Sequence, residues 1–394
     1  MPNVVPGPAE QTLPQPASVL SSSWIWLLIL FCFGSFIETV FFGQLGAFTP
    51  RHLPELGVPI KDVARWTGII ASLSGLLGLP FLPLWGALAD RYSRKPIIIR
   101  SFAVEMVAGI AALLAGNIGF FTAARTFASL ALGNSGLMLA TLAERAPSNR
   151  QSLAFSIQNA AGPVGIFIGP LIGGPIVDHW GFRTLVGIDA LLLLVVVVSL
   201  SVGYRDRFTG TNRGPLLSMA GDSIRIILKS PRLRALFPAL FVLFAGWMMA
   251  LTYAPLAIDQ VSQGSSATTI GVILGAGGLV ALGVSPLLGW LADRYGTWRV
   301  LLAGAGLAAL LWILPALARS QTSFGIAWAA VNGVSSGVFA ISFSALAQST
   351  EPEVRGRVMS FAYLPTNLGL FLGPGIGALI THTSVLNVFP AAAV

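Results

Sequence analysis

Apolar stretches of about twenty residues, separated by short polar joins, run from Trp24 almost to the end of the chain. A helix rises 1.5 Å per residue, so about twenty apolar residues cross the roughly 30 Å hydrocarbon core of a bilayer. The pattern predicts eleven such helices: Trp24–Gly46, Thr67–Ala89, Ile97–Ala115, Gly119–Ala143, Leu153–Val177, Thr184–Val202, Leu236–Ala257, Ile270–Ala292, Val300–Leu317, Phe324–Gln348 and Val358–Ile380. The fold class is therefore an all-α polytopic membrane protein. Trp24, Trp26 and Trp66 fall at span ends, where indoles anchor at the interface.

The join between the second and third spans reads GALADRYSRKP, from Gly86 to Pro96, and its opening returns as GWLADRY from Gly289 to Tyr295. Two copies about 200 residues apart mean two halves. Asp90 and Asp293 each close a helix at the negative end of its dipole, so each needs a cation or the N-terminus of another helix. Arg91, Arg94 and Arg294 are the adjacent cations. The repeat predicts that Asp90 faces the cytoplasmic start of span eleven and Asp293 that of span five, clamping the halves in the outward-open state.

Composition then narrows the class. With 55% hydrophobic and only 10% charged residues, the chain has no balance that a soluble domain of 394 residues would carry. The net charge of +8 would suit a nucleic-acid partner in a soluble protein, but here the basic residues lie in the joins. With Asp90 inside, Arg91, Arg94, Lys95, Arg100, Arg145, Arg150, Arg294, Arg299, Arg355, Arg357 and the seven basic residues of 204–235 are cytoplasmic. Only Arg51, Lys61, Arg65, Arg183 and Arg319 are outside. Seventeen against five sets the N-terminus inside, and no nucleic acid is expected.

Cys32 stands alone, so no internal disulfide forms. No HExxH and no intramembrane His/Asp cluster occurs, so neither an enzyme nor a metal or cofactor is expected.

Four segments follow. Residues 1–23, with Pro2, Pro6, Pro8, Pro14 and Pro16, read as a disordered tail without the basic start of a signal peptide. Residues 24–203 form one six-helix bundle, 204–235 a basic connector along the inner leaflet, and 236–394 a second bundle. Aligning the halves on Asp90 and Asp293 leaves that second bundle with five complete spans and a sixth only begun, as in a truncated chain.

GxLADRxxRK between spans two and three resembles motif A of the major facilitator superfamily, with Ser93, Thr297 and Trp298 departing from the pattern. In span five, Gly165, Gly169, Pro170, Gly173 and Gly174 spell GxxxGPxxGG, which resembles motif C of that superfamily's proton-exchanging exporters. Ser156 replaces a further glycine, and Gly369, Gly373 and Pro374 repeat the pattern in span eleven. The segments LPELGV, WTGIIAS, PLWGALADR and GFRTL are similar to the bacterial twelve-span drug:proton antiporters. The resemblance implies two pseudo-symmetric six-helix bundles working by alternating access, with small hydrophobic or cationic drug-like compounds and protons as partners, as a monomer in the lipid bilayer. An importer of a sugar or organic acid by proton symport is the alternative within the fold, and a channel or membrane enzyme the alternative outside it.

Three ionisable residues lie deep inside apolar spans, where a charge costs a few kcal/mol unless it is paired or wet: Glu38, Glu105 and Arg125. Arg125 also resembles the arginine of motif B, with Gly133 matching a glycine of that motif. Counting residues from the span ends puts Glu38 and Arg125 at a shared depth, roughly 20 Å from the inner surface, as a proton-sensitive pair. In the superfamily's fold span three lies outside the cavity, which favours Glu38 over Glu105. Asp189 is expected at the interface. Gln44, Asn134, Gln158, Asn159, Asn332 and Asn367 should face protein or cavity, because hydrocarbon leaves amides unpaired. Trp247 joins Phe237, Phe241, Phe244 and Met248 on span seven as a candidate apolar contact surface.

Overall fold

A computed structural model describes residues 17–205, 231–349 and 352–393. The expectations for the tail before residue 17 and for most of the connector lie outside the described residues, as do the side chains of Gly86, Asp90 and Arg91 and those at the start of span eleven. The helices are α1 (Ala17–His52), α2 (Val63–Leu76), α3 (Leu82–Arg91), α4 (Arg94–Leu113), α5 (Ile118–Phe127), α6 (Asn134–Arg145) and α7 (Gln151–Gly203) in the first half. The second half holds α8 (Pro231–Ser262), α9 (Ala267–Tyr295), α10 (Thr297–Trp312), α11 (Leu314–Leu317), α12 (Gln321–Gln348), α13 (Pro352–Ile380) and α14 (Val388–Ala392).

Eight helical stretches among the described residues are long and apolar enough to cross a membrane, against the eleven spans expected. The difference has local causes. Spans five and six are two helices that meet at a kink at Gly181, whose φ of 81° and ψ of 166° only glycine adopts readily, and they count once because α7 covers both. Span two is broken by a short 3₁₀ turn between α2 and α3, where Gly75, Gly78, Pro80 and Pro83 cluster. Span eleven lies in α13, Pro352–Ile380, of which only Pro365–Ile380 enters that tally because the side chains before it lie outside those described.

Span four is broken too, by a 3₁₀ turn over Ala128–Ala131 and by Gly133 at φ 112°. The two breaks touch, since Gly78 packs directly on the carbonyl of Ser129. A broken helix in a membrane leaves carbonyls that must find donors. Arg100 supplies one, donating to the Leu132 oxygen at 3.2 Å while its guanidinium lies 3.5 Å over the Trp85 ring.

Two glycine seams hold the halves internally, and two more join them. Within the first half, α7 lies against α1: a β-carbon at Gly169 would stand 2.6 Å from the Val40 oxygen, and one at Gly173 3.0 Å from Gln44. Within the second half, α13 lies against α8 in the same way, with Gly369 facing the Phe241 oxygen at 2.8 Å and Gly373 that of Ala245. Across the halves, Gly271 of α9 rests on the Pro170 oxygen of α7, and Gly68 of α2 rests on the Pro374 oxygen of α13. Small residues let helix backbones meet where lipid gives no hydrophobic drive. The Gly-Pro pairs of spans five and eleven thus occupy equivalent places, each with glycines toward its own half and a carbonyl toward the other.

Candidate functional site

A cavity of about 460 Å3 lies between the halves. Its first-half wall carries Glu38 from α1, Glu105 from α4, Arg125 from α5, and Gln158 and Asn159 from α7. Its second-half wall carries Phe244, Trp247, Met248 and Leu251 from α8, Ser336 and Phe339 from α12, and Leu370 and Phe371 from α13.

Glu38 accepts two hydrogen bonds from Asn134 Nδ2, at 3.0 and 2.9 Å, while Asn134 Oδ1 takes the Ser135 backbone N–H at 2.9 Å. The second bond fixes which end of the amide points at the carboxyl. Hydrogen bonds to a charged group contribute about 1.5–3 kcal/mol each in water-soluble proteins. No ion pair within 4 Å joins Glu38 to Arg125 among the described residues. Arg125 instead lies within electrostatic reach of Glu105, and Glu105 within that of Glu38. Glu105 thus faces the cavity, although span three was expected to lie outside it. Its Oε2 and the Nε of Arg125 are buried with no hydrogen-bond partner.

The amides divide. Gln158 donates to Ser35 Oγ at 2.7 Å at the cavity edge, and Asn159 is exposed into the space. Gln44 does not line the cavity: its Nε2 donates to the Gly169 oxygen at 3.0 Å, tying α1 to the Gly-Pro bend of α7. Asn332 is wholly buried behind the aromatic wall, where its Oδ1 receives the Trp247 indole N–H at 3.0 Å. Asn367 is half-buried and outside the lining. Asp189, expected at the interface, is 2% exposed, because α7 turns it toward the interior of the first half rather than toward lipid.

Toward the end of the bundle that carries Arg51, the space narrows to a pocket of about 70 Å3 and then closes. The closure is polar, and sequence reading missed it. Arg51 at the end of α1 pairs with Asp178 of α7 at 3.8 Å and with Asp259 of α8 at 3.1 Å, and also donates to the Ser265 oxygen. Asp178 accepts the backbone N–H groups of Ala267 and Thr268 at 2.8 Å each, and the Thr268 hydroxyl at 2.7 Å. It therefore caps α9 from the opposite half, a carboxylate at the positive end of a helix dipole. Burial pushes the Asp178 carboxyl up, but the Thr268 and Ala267 donors and Arg51 outweigh burial and hold it below the ordinary aspartate value. Polar contacts from one half to the other thus gather at this end.

At the far end, Arg94 pairs with Glu144 at 2.7 Å within the first half. Asp293 is exposed and makes no ion pair among the described residues, Gly289 meets no neighbour, and Arg294 lies over Trp290 and Tyr295 at 5.4 and 5.6 Å. The clamp at Asp293 was expected with the Arg51 end open, whereas here the halves are drawn together at that end. The Asp90 clamp falls on side chains outside those described.

Residues 63–374 match the family model of the Major Facilitator Superfamily. The chain is similar to the multidrug resistance protein MdtG of Escherichia fergusonii, with 27% identity over 366 residues that cover 91% of this chain and 88% of that protein. It is similar to MdtG of Yersinia enterocolitica at 27% over 365 residues, covering 92% and 88%. Among solved structures, it resembles the nucleoside transporter NupG at 16% identity and a TM-score of 0.73, covering 93% of this chain and 95% of that one. It also resembles a bacterial homologue of the human lysosomal transporter Spinster, in an inward-facing and unoccupied conformation, at 16% identity and a TM-score of 0.76, covering 93% and 83%. At such identities the structural likeness shows the fold alone.

Proposed function

The chain belongs to the Major Facilitator Superfamily, a family of membrane transporters and not of enzymes, and from that premise we propose that it exports small hydrophobic or cationic compounds in exchange for protons. One observation carries the reading: a single cavity with two carboxylates and an arginine on one wall and a cluster of aromatic rings on the other. The aromatic wall suits varied apolar bodies, and the ionisable wall suits a proton or a cationic group. The likeness to MdtG proteins, named for multidrug resistance, supports export over uptake.

The protein works as two bundles, 24–203 and 236–394, rocking about the midplane cavity with 204–235 between them, as a monomer in the cell membrane. The positive-inside bias puts the Arg51 end outside and the Asp293 end in the cytoplasm. The state described is then closed outside by Arg51, Asp178 and Asp259. In the opposite state Asp90 and Asp293 close the cytoplasmic end. Glu38 and Glu105 exchange protons with water on whichever side the cavity opens, and Arg125 beside Glu105 makes the two carboxyls unequal.

The test uses everted membrane vesicles with an imposed pH gradient. Accumulation of a lipophilic cation such as ethidium that collapses with the gradient, together with proton release driven by adding ethidium, is the expected outcome. Ethidium movement that ignores the gradient would overturn antiport.

A further inference from the structure

We infer that Asn332 is a positioning residue that gives the cavity a preference for flat aromatic substrates, by withholding the one hydrogen-bond donor of Trp247. The inference rests on the exporter reading above and names the shape its substrates share.

Trp247 faces the cavity with an indole whose single donor is Nε1–H. That group is taken by Asn332 Oδ1 at 3.0 Å. The amide cannot turn over, because its Nδ2 donates to the Trp328 oxygen at 3.0 Å and so presents its oxygen to the indole. Asn332 is itself fully buried and touches no substrate, so whatever it does is done through Trp247. With its N–H fixed at the back, the indole has one rotation. It meets Phe244 nearly edge-on, 5.5 Å and 72°, and Phe339 at 6.0 Å and 42°, while Phe244 and Phe339 lie 4.9 Å apart at 30°. The three rings form a rigid wall that offers aromatic surface and no aromatic N–H.

Such a wall rewards one kind of ligand. A flat aromatic body stacks on preset rings without having to order them, whereas an aliphatic body of the same charge gains only non-directional burial. The polar groups of the ligand must then lie toward the opposite wall, where Glu38, Glu105, Gln158 and Asn159 stand. If Asn332 loses its oxygen, the indole N–H must seek another acceptor, and the ring turns from its place to reach one.

The experiment measures equilibrium binding of two probes to the full chain in lipid nanodiscs. Ethidium and tetrabutylammonium carry the same single charge, and only ethidium is flat and aromatic. Asn332→Leu is expected to weaken ethidium about tenfold and tetrabutylammonium less than about twofold. In a Trp247→Phe background, where no indole N–H needs an acceptor, Asn332→Leu should change ethidium binding less than about twofold, the signature of two residues acting as one. Trp247→Phe alone keeps a ring but frees it, and is expected to narrow the preference for ethidium even if Asn332→Leu does not fold. Equal loss of both probes in Asn332→Leu, an undiminished effect in the Trp247→Phe background, or an unchanged preference in Trp247→Phe would each overturn the inference while leaving the exporter reading intact. A wild-type protein that binds neither probe would overturn both.

Discussion

The two halves share their seams and differ in their walls. Gly169 meets Val40 as Gly373 meets Ala245, and Gly271 meets Pro170 as Gly68 meets Pro374, so the backbone contacts of one half are found again in the other. The cavity surfaces are not. Glu38, Glu105 and Arg125 come only from the first half, and the Phe244–Trp247–Phe339 ring cluster only from the second. Helix packing at carbonyl distance admits few solutions, so the repeat survives there. Cavity side chains touch space rather than backbone, which leaves each wall free to specialise, one in protons and the other in substrate bodies.

The largest expected effect tests that division directly. Glu38→Gln keeps shape and Asn134 within reach but cannot carry a proton. Gradient-driven efflux should fall by about 100-fold, the low end of what losing a proton-transfer group costs, while binding persists and varies less with pH. Wild-type efflux rates in this variant would pass the proton role to Glu105. On the other wall, Phe339→Ala removes one ring of the cluster and should weaken substrate binding about tenfold, or about 1.4 kcal/mol. Protons exchanged per substrate, read from paired flux measurements, should stay as in the wild type. If that ratio changes, the walls are not separate.

A smaller effect is expected at the Arg51 end. Asp178→Ala removes a helix cap supplied across the halves and should cost the closed state about 1 kcal/mol. Labelling of a cysteine placed at Thr49, which lines the narrow pocket behind the closure, in a Cys32→Ser background, by an impermeant maleimide should rise about fivefold. The pH dependence has a definite sign. A carboxyl held below its ordinary value contributes fully above the ordinary aspartate range and is lost as pH falls through the depressed value. A spin-label distance across the Arg51 end of the otherwise unaltered protein should therefore lengthen only in acid. The smallest effect belongs to Asp293→Asn, which in this state should move substrate affinity by less than about 0.5 kcal/mol, because the side chain is exposed and unpaired among the described residues. A larger shift would mean that Asp293 is engaged in the substrate-binding state.

Much of the architecture can be read from runs of apolar residues, since a bilayer imposes length and forbids unpaired backbone. The break between α2 and α3 carried its own signal in Gly75, Gly78, Pro80 and Pro83, yet the apolar run across it reads as one span because hydropathy does not register backbone shape. Glu38, Glu105 and Arg125 were visible as charges at depth. Which of them neighbour one another was not, because hydropathy fixes depth but not the rotation of a helix. Asn332 stood out as a buried amide, but its partner on α8 is 85 residues away and unmarked by any pattern. Arg51, Asp178 and Asp259 looked like ordinary polar residues in joins, and only the fold shows that they converge.

The seam between Gly271 and the Pro170 carbonyl is one atom thick. On the proposed orientation it is also part of what separates the periplasmic side from the cavity, and through the cavity from the cell interior. A methyl group there acts as a doorstop: Gly271→Ala alters no wall side chain but keeps the outer helices from meeting. The consequence reaches beyond this protein's own work. A transporter that cannot finish shutting on one side while open on the other conducts, and each copy drains the ion gradient that energises the whole membrane. Expression of Gly271→Ala should depolarise cells and slow their growth with no substrate present, whereas Asn332→Leu should leave growth untouched. On this reading the glycine serves less what the protein carries than what it must not let through.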